Sequence, residues 1–118
     1  MTGITSRSFG EPDETRTPDK TKVDVVHLGD AEVGRFTFAP GWRWSECIKP
    51  VVGTESCQVD HVGVVSSGRL SVAHEDGSQA TLSAGDAYRI APGHDAWVDG
   101  DQEFVSFEFK AAATYAKP

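Results

Sequence analysis

Short apolar runs separated by polar turns set the pattern of the chain from Val23 onward. The runs are rich in Val, Phe, Trp and Tyr, and Gly, Pro, Asp and Ser stand between them. No segment keeps a 3.6-residue apolar period, which argues against long helices. Many short strands with regular turn signals predict an all-β sandwich or barrel. The predicted strands are Val23–Leu28, Glu32–Phe38, Arg43–Ile48, Gln58–Val65, Arg69–His74, Gln79–Leu82, Ala87–Ile90, Ala96–Val98 and Glu103–Phe109.

Two turns are marked strongly. The run from Ser66 to Gly68 reverses the chain between two predicted strands. Asp76-Gly77, between two alternating segments, predicts a β-hairpin with a type I′ turn.

The first 22 residues differ from the rest, because they are mostly polar and contain two prolines. Such a segment buries too little apolar surface to offset the entropy of ordering it. We therefore predict a mobile N-terminal arm over residues 1–22 and a barrel domain over residues 23–118. The alternative is an N-terminal strand that packs on a partner subunit.

Size and charge narrow the classes of function. The chain has 118 residues and a net charge of −7, and the arm is neutral, so the whole excess of acid lies in the barrel domain. A body of that charge repels phosphate backbones, which argues against general nucleic-acid binding. No apolar run approaches the roughly 20 residues of a membrane helix, and no stretch resembles a signal peptide, so we expect a cytoplasmic protein. In that compartment the two cysteines are expected to be free thiols or ligands.

Possible metal ligands cluster in the segment that precedes Gly68. In an extended strand Glu55, Cys57 and His61 project to one side, with Val59 between the thiol and the imidazole. Residues four apart in a straight strand lie about 13 Å apart, too far to share one metal. A bend or bulge near Val59 or Asp60 is therefore required if they do. The same distance argues against a Cys57–His61 nucleophile pair.

These residues resemble the first signature motif of the cupin superfamily, G-x5-H-x-H-x3,4-E-x6-G, which is typical of small antiparallel jelly-roll barrels. With Gly68 as its last glycine, His61 stands in the glutamate position, Cys57 in the second histidine position and Glu55 in the first. Lys49 replaces the leading glycine.

The second cupin motif, G-x5-P-x-G-x2-H-x3-N, resembles the segment that starts at Gly85. Gly93 takes its glycine position, and Ala96 takes its histidine position. His94 lies two residues earlier, on the same strand face as Ala96. The resemblance covers Val33 to Phe109, and the Pro-Gly-Trp-Arg-Trp run at residues 40–44 is similar to that of short, single-domain bacterial cupins.

The resemblance implies one metal inside the barrel, held here by Cys57, His61 and His94, with Glu55 or Cys47 as a possible fourth ligand. A sulfur and two nitrogens suit Zn²⁺ or another late first-row ion better than Mg²⁺ or Ca²⁺. The expected cofactor is thus a divalent transition metal (Zn, Fe, Ni or Mn). The alternative is a metal-free pocket in which Cys57 is a small buried apolar residue and His61 is hydrogen-bonded in the core.

Candidates for substrate binding are Arg43, Cys47, Tyr88 and Trp97. Arg43 could meet an anionic group with its planar guanidinium, and the aromatic side chains could line the cavity mouth. Tyr88 and Trp97 could equally be packing residues. Two functions stay open: a barrel that binds a small molecule, or a metal-dependent enzyme of the dioxygenase or isomerase type. The resemblance also implies a homodimer.

Overall fold

The computed structural model describes residues 3–110, 112 and 114–117. The predicted arm and barrel domain each include residues outside this description, namely 1 and 2 in the arm and 111, 113 and 118 in the barrel domain. The described residues form nine strands and two short helices: β1 (Glu14–Arg16), β2 (Thr21–Leu28), β3 (Ala31–Phe38), α1 (Trp44–Cys47), α2 (Lys49–Val52), β4 (His61–Ser67), β5 (Arg69–His74), β6 (Gln79–Ser83), β7 (Ala87–Ile90), β8 (His94–Val98) and β9 (Phe104–Glu108).

The strands form two antiparallel sheets whose inner faces enclose one core. The larger sheet has the order β1-β2-β3-β9-β4-β7, and the smaller has the order β6-β5-β8. Alternate residues of β8 and β9 are buried, as expected for strands with one face on a core. The chain passes from the larger to the smaller sheet at Gly68, which adopts a left-handed φ of 78° and lies against the backbone of Glu103. The predicted all-β fold is confirmed.

Two local predictions are wrong. Within the predicted strand Arg43–Ile48, residues Trp44–Cys47 are helical and only Arg43 is extended, because the buried Trp44, Cys47 and Ile48 have a spacing that fits one face of a helix. The hairpin at Asp76-Gly77 forms, but Gly77 alone of the two has positive φ. A type I′ turn needs positive φ at both central residues, so this turn is of another type.

Part of the predicted arm forms an edge strand. β1 pairs with β2, and the Thr15 hydroxyl donates a hydrogen bond to buried Asp24 at 2.9 Å. The Phe9 ring contacts the Phe107 ring, with centroids 5.6 Å apart. These contacts oppose the entropy loss on which the arm prediction rests. The domain boundary at residue 22 and the homodimer stay predictions.

The C-terminal segment (residues 112 and 114–117) closes one end of the barrel. Tyr115 is buried, and its ring packs on Phe36 with centroids 4.8 Å apart. Arg16 donates a hydrogen bond to the carbonyl oxygen of Ala112 at 2.5 Å. Gly34 makes room for the segment, since a Cβ there would lie 2.6 Å from the Ala112 Cβ. No helix among the described residues is long and apolar enough to cross a membrane.

Candidate metal centre

Three potential ligands meet at one end of the barrel. His61 begins β4 and His94 begins β8, whereas Cys57 lies in the irregular segment before β4. The Cys57 N–H donates to the His94 carbonyl at 2.7 Å, and the Gly93 N–H donates to the Cys57 carbonyl at 2.7 Å. This short backbone bridge holds the thiol beside the two strands, and the structure thus brings together three of the four predicted ligands.

The spacing of these side chains fits one metal ion. The Cys57 Sγ lies 3.6 Å from the His61 Nε2, and one ligand atom from each of Cys57, His61 and His94 lies within 4.8 Å of the others. A tetrahedral zinc ion would hold a sulfur and a nitrogen about 3.5 Å apart. The three residues are 2%, 5% and 3% exposed, respectively. The donor set therefore suits a late first-row ion in its chemistry, and the Cys57–His61 separation matches that of two ligands on one zinc ion.

Each imidazole is held by a partner on its far nitrogen. The His94 Nδ1–H donates to the Ala91 carbonyl at 2.8 Å. The His61 Nδ1–H donates to the Glu108 Oε1 at 2.6 Å. Both arrangements leave Nε2 free to act as a ligand, which is the usual arrangement behind metal-bound histidines.

The electrostatics favour a thiolate beside an imidazolium. Burial opposes ionisation of Cys57, but hydrogen bonds from His61 and His94 lower its pKa from 9.0 to about 6. Burial likewise opposes the charge on His61, but the Glu108 carboxylate and the Cys57 sulfur raise its pKa from 6.5 to about 10. The site thus carries the deprotonated sulfur that metal binding requires.

Glu108 is the site residue that the sequence reasoning missed. It is only 4% exposed and accepts a hydrogen bond from the Tyr88 hydroxyl at 2.7 Å as well as the one from His61. Burial and this carboxylate raise the pKa of Tyr88. The alternation Phe104, Ser106, Glu108 places the carboxylate on the inner face of β9, and that periodicity was the available signal.

The predicted fourth ligands lie elsewhere. The Glu55 side chain is 96% exposed, and its carboxylate pairs with the Lys49 ammonium at 3.2 Å. Cys47 is buried, with its sulfur 3.8 Å from the Asp19 carboxylate, and burial raises its pKa. The straight-strand reasoning brought Glu55 to the Cys57 face, and the irregular backbone before β4 removes that alternation.

The four predicted substrate residues are not together. Trp97 faces outward from β8, and the Arg43 guanidinium lies 4.5 Å from the centre of its indole. Arg43 also pairs with the Asp95 carboxylate at 3.3 Å. Tyr88 points into the barrel, whereas Cys47 lies on α1. Arg43 and Trp97 therefore support each other on the outer surface.

Two cavities adjoin the three ligands. The interior cavity, lined by His61, His94 and Glu108, holds about 20 Å³, which is room for about one water molecule. A second cavity of about 260 Å³ lies at the barrel mouth and is lined by Cys57 and part of the C-terminal segment. Side chains thus fill the barrel interior, where a small molecule was expected.

Known structures with this fold include several cupins. The structure is similar to that of a protein of unknown function from Rhizobium leguminosarum bv. viciae (TM-score 0.64, 22% identity, 92% of this chain and 98% of that one). It is also similar to a cupin domain from Bordetella pertussis (TM-score 0.52, 22% identity, 80% and 96%). A third match is a cupin 2 conserved barrel domain protein from Salinispora arenicola (TM-score 0.58, 16% identity, 95% and 92%).

Sequence comparison adds nothing to this likeness. No protein-family model matches the chain, and no curated protein matches it. Identities of this size establish the fold and leave the activity open. The chain has the fold of a small cupin-like domain.

Proposed function

We propose that this protein is a metal-binding barrel that holds one divalent transition-metal ion, with zinc as the best fit, through Cys57, His61 and His94. The observation that carries the proposal is the convergence of three buried ligand atoms within 4.8 Å, two of them on rings held from behind. Metal binding would displace the Nε2 proton of His61, and the resulting thiolate and two neutral imidazoles bind zinc, iron or nickel in preference to magnesium or calcium. Glu108 would fix the orientation of His61 and strengthen it as a ligand.

Three protein ligands leave one coordination position for a small molecule or water. A bound ion would supply Lewis acidity at that position. The protein supplies the thiolate, two oriented imidazoles and an apolar wall that includes Trp44 and Tyr115. This set supports binding of a small ligand at the metal. Catalysis by a dioxygenase or isomerase type of enzyme is the alternative, and it needs a proton acceptor at the open position.

A thiolate nucleophile is the second candidate. The distance in a straight strand argues against a Cys57–His61 pair, and the 3.6 Å separation of their sulfur and nitrogen removes that objection. A depressed thiol pKa next to a histidine is typical of reactive cysteines. The metal is favoured because His94 adds a third ligand that a Cys–His pair does not need.

Metal analysis of purified protein separates the two candidates. We expect about one equivalent of ion, and on reconstitution with Co²⁺ a sulfur-to-cobalt charge-transfer band. Cys57→Ser should abolish that band, whereas the matched variant Cys47→Ser should keep it, because Cys47 lies outside the cluster. Absence of any bound ion in wild-type protein, or a band that survives in Cys57→Ser, would refute the metal proposal.

A further inference from the structure

The cavity at the mouth of the barrel is a pocket that the metal ligands alone do not explain. It holds about 260 Å³, just below the roughly 300 Å³ at which drug-sized pockets begin. Its apolar lining comes from the α1–α2 region, from the segment before β4 and from the C-terminal segment, and includes Trp44, Ile48, Val52, Val59 and Tyr115. A pocket of this size fits a molecule of fragment size.

One residue of the candidate metal centre, Cys57, borders this pocket. Cys57 lines the mouth cavity, whereas His61 and His94 line the small interior cavity. Trp44 and Tyr115 line both cavities and therefore form the wall between them. The Tyr115 ring also lies against His61, with centroids 5.4 Å apart. A molecule in the mouth cavity would thus approach the three ligands from the Cys57 side.

The lining determines the chemistry of the occupant. Apolar side chains dominate the walls, so an apolar body gains free energy by leaving water there. The polar members include Thr54, Gln58 and Lys117, and all three are exposed. Cys57 and Tyr115 are buried residues of the lining that carry a polar group, and Cys57 is the one in the candidate metal centre. An apolar body with one polar head that points inward satisfies both features.

We propose that the mouth cavity is the binding site for a small, largely apolar molecule with a single donor head group directed at Cys57. The inference rests on the proposed function, because the head group has its partner in the ion that Cys57, His61 and His94 would hold. The ligand site would then lie between α1–α2 and the C-terminal segment, outside the filled interior of the barrel. The ring of Tyr115 would contact the bound molecule.

The first experiment uses Co²⁺-loaded protein and two nitrogen donors that differ by one phenyl ring, imidazole and 4-phenylimidazole. Titration of the cobalt absorption bands gives their dissociation constants. We expect 4-phenylimidazole to bind at least about tenfold more tightly, since the ring is buried in the cavity. Val52→Trp fills the cavity and should remove this preference while Co²⁺ affinity stays unchanged. Thr54→Trp, at the exposed rim, is a second filling variant that the core tolerates more easily.

The matched control is Ala80→Trp, which places the same side chain at an exposed position on β6, and it should behave as the wild type. If Co²⁺ binds and the two donors bind equally, or if neither filling variant changes their ratio, the pocket proposal is wrong and the proposed function stands. If wild-type protein binds no Co²⁺, the proposed function fails, and a second experiment decides the pocket.

That experiment measures alkylation of Cys57 in metal-free protein by N-benzylmaleimide and N-methylmaleimide, with peptide mass mapping to separate Cys57 from Cys47. Each rate is divided by that of N-acetylcysteine. A site for an apolar body predicts that the benzyl reagent reacts several-fold faster at Cys57, and that Val52→Trp removes the advantage. Equal relative rates, or an advantage unchanged in Val52→Trp, would overturn the pocket.

Discussion

Glu108→Gln tests whether the buried carboxylate orients the candidate ligand His61. In the wild type the carboxylate accepts two hydrogen bonds, one from the His61 Nδ1–H at 2.6 Å and one from the Tyr88 hydroxyl at 2.7 Å. A glutamine has nearly the same shape but only one accepting oxygen. One of the two donors must then turn away or face an NH₂ group, and the charge opposite His61 is lost.

The expected loss of stability in Glu108→Gln follows from the burial of both partners. The His61 and Glu108 side chains are 6% and 5% exposed. Removal of one member of a buried ion pair typically costs about 3–5 kcal/mol. Because His61 can lose its proton in the variant, we expect the lower end, about 3 kcal/mol in the free energy of unfolding of metal-free protein. Metal affinity should fall about 10–100-fold, the usual effect of removing the partner behind a histidine ligand.

The loss of stability in Glu108→Gln should become smaller as the pH rises. The folded-state pKa of His61, about 10, lies above its ordinary value of 6.5. Stabilisation by the pair is therefore fully present at or below pH 6.5 and is lost as the pH rises through about 10. The difference in stability between wild type and Glu108→Gln should be largest near pH 6.5 and should close towards pH 10.

Chemical denaturation at a series of pH values in the presence of a chelator measures this difference, and nitrogen NMR of the His61 ring follows its pKa. Glu103→Gln is the matched control, since that carboxylate lies just before β9 and is exposed. The reasoning is refuted by a loss below about 0.5 kcal/mol, the usual scale of surface substitutions. A difference that does not change with pH, or a metal affinity equal to that of the control, would also contradict it.

Three further predictions concern the thiol, the C-terminal segment and the outer surface. In metal-free protein the ultraviolet absorbance of thiolate should titrate with a midpoint near the Cys57 pKa of about 6. This transition should vanish in Cys57→Ser, because burial raises the pKa of the remaining thiol, Cys47. A midpoint near 9 in the wild type would contradict the prediction. Gly34→Ala should lower the free energy of unfolding by about 1–3 kcal/mol, because its Cβ would displace Ala112, and an unchanged denaturation midpoint would disprove that contact. Arg43→Ala should leave Co²⁺ affinity unchanged, since Arg43 stacks on the outer surface of β8, and reduced affinity would show a link to the site.

The fold was largely predictable because strand alternation and turn residues are local signals. The runs that became β2, β3 and β5 were recognised within two residues of their observed ends, since their buried residues alternate or run continuously. The strand predicted over Arg43–Ile48 was wrong because so short an apolar pattern does not distinguish a strand from a single helical turn. Pro50 and Gly53 delimit α2, but neither residue distinguishes a short helix from a loop in the sequence alone.

The C-terminal segment and Glu108 depend on long-range packing, which a local pattern does not encode. Glu108 is buried because His61 and Tyr88 supply donors from β4 and β7, strands far away in sequence. Ala112 and Tyr115 are buried because Gly34 and Phe36 of β3 provide the surface on which they lie. A carboxylate on an apolar strand face is the one sequence sign that such donors are present.

The convergence of Cys57 and His61 shows how the sequence argument and the structure can both hold. In a straight strand these residues would lie about 13 Å apart, so a bend near Val59 or Asp60 was required. The structure meets that requirement because β4 begins only at His61, and the preceding residues are irregular apart from the single backbone bridge between Cys57 and His94. The bridge brings the sulfur to 3.6 Å from the His61 Nε2. The two-residue shift of His94 from the motif position is therefore part of the same arrangement, because the residue that pairs with Cys57 also supplies the third ligand.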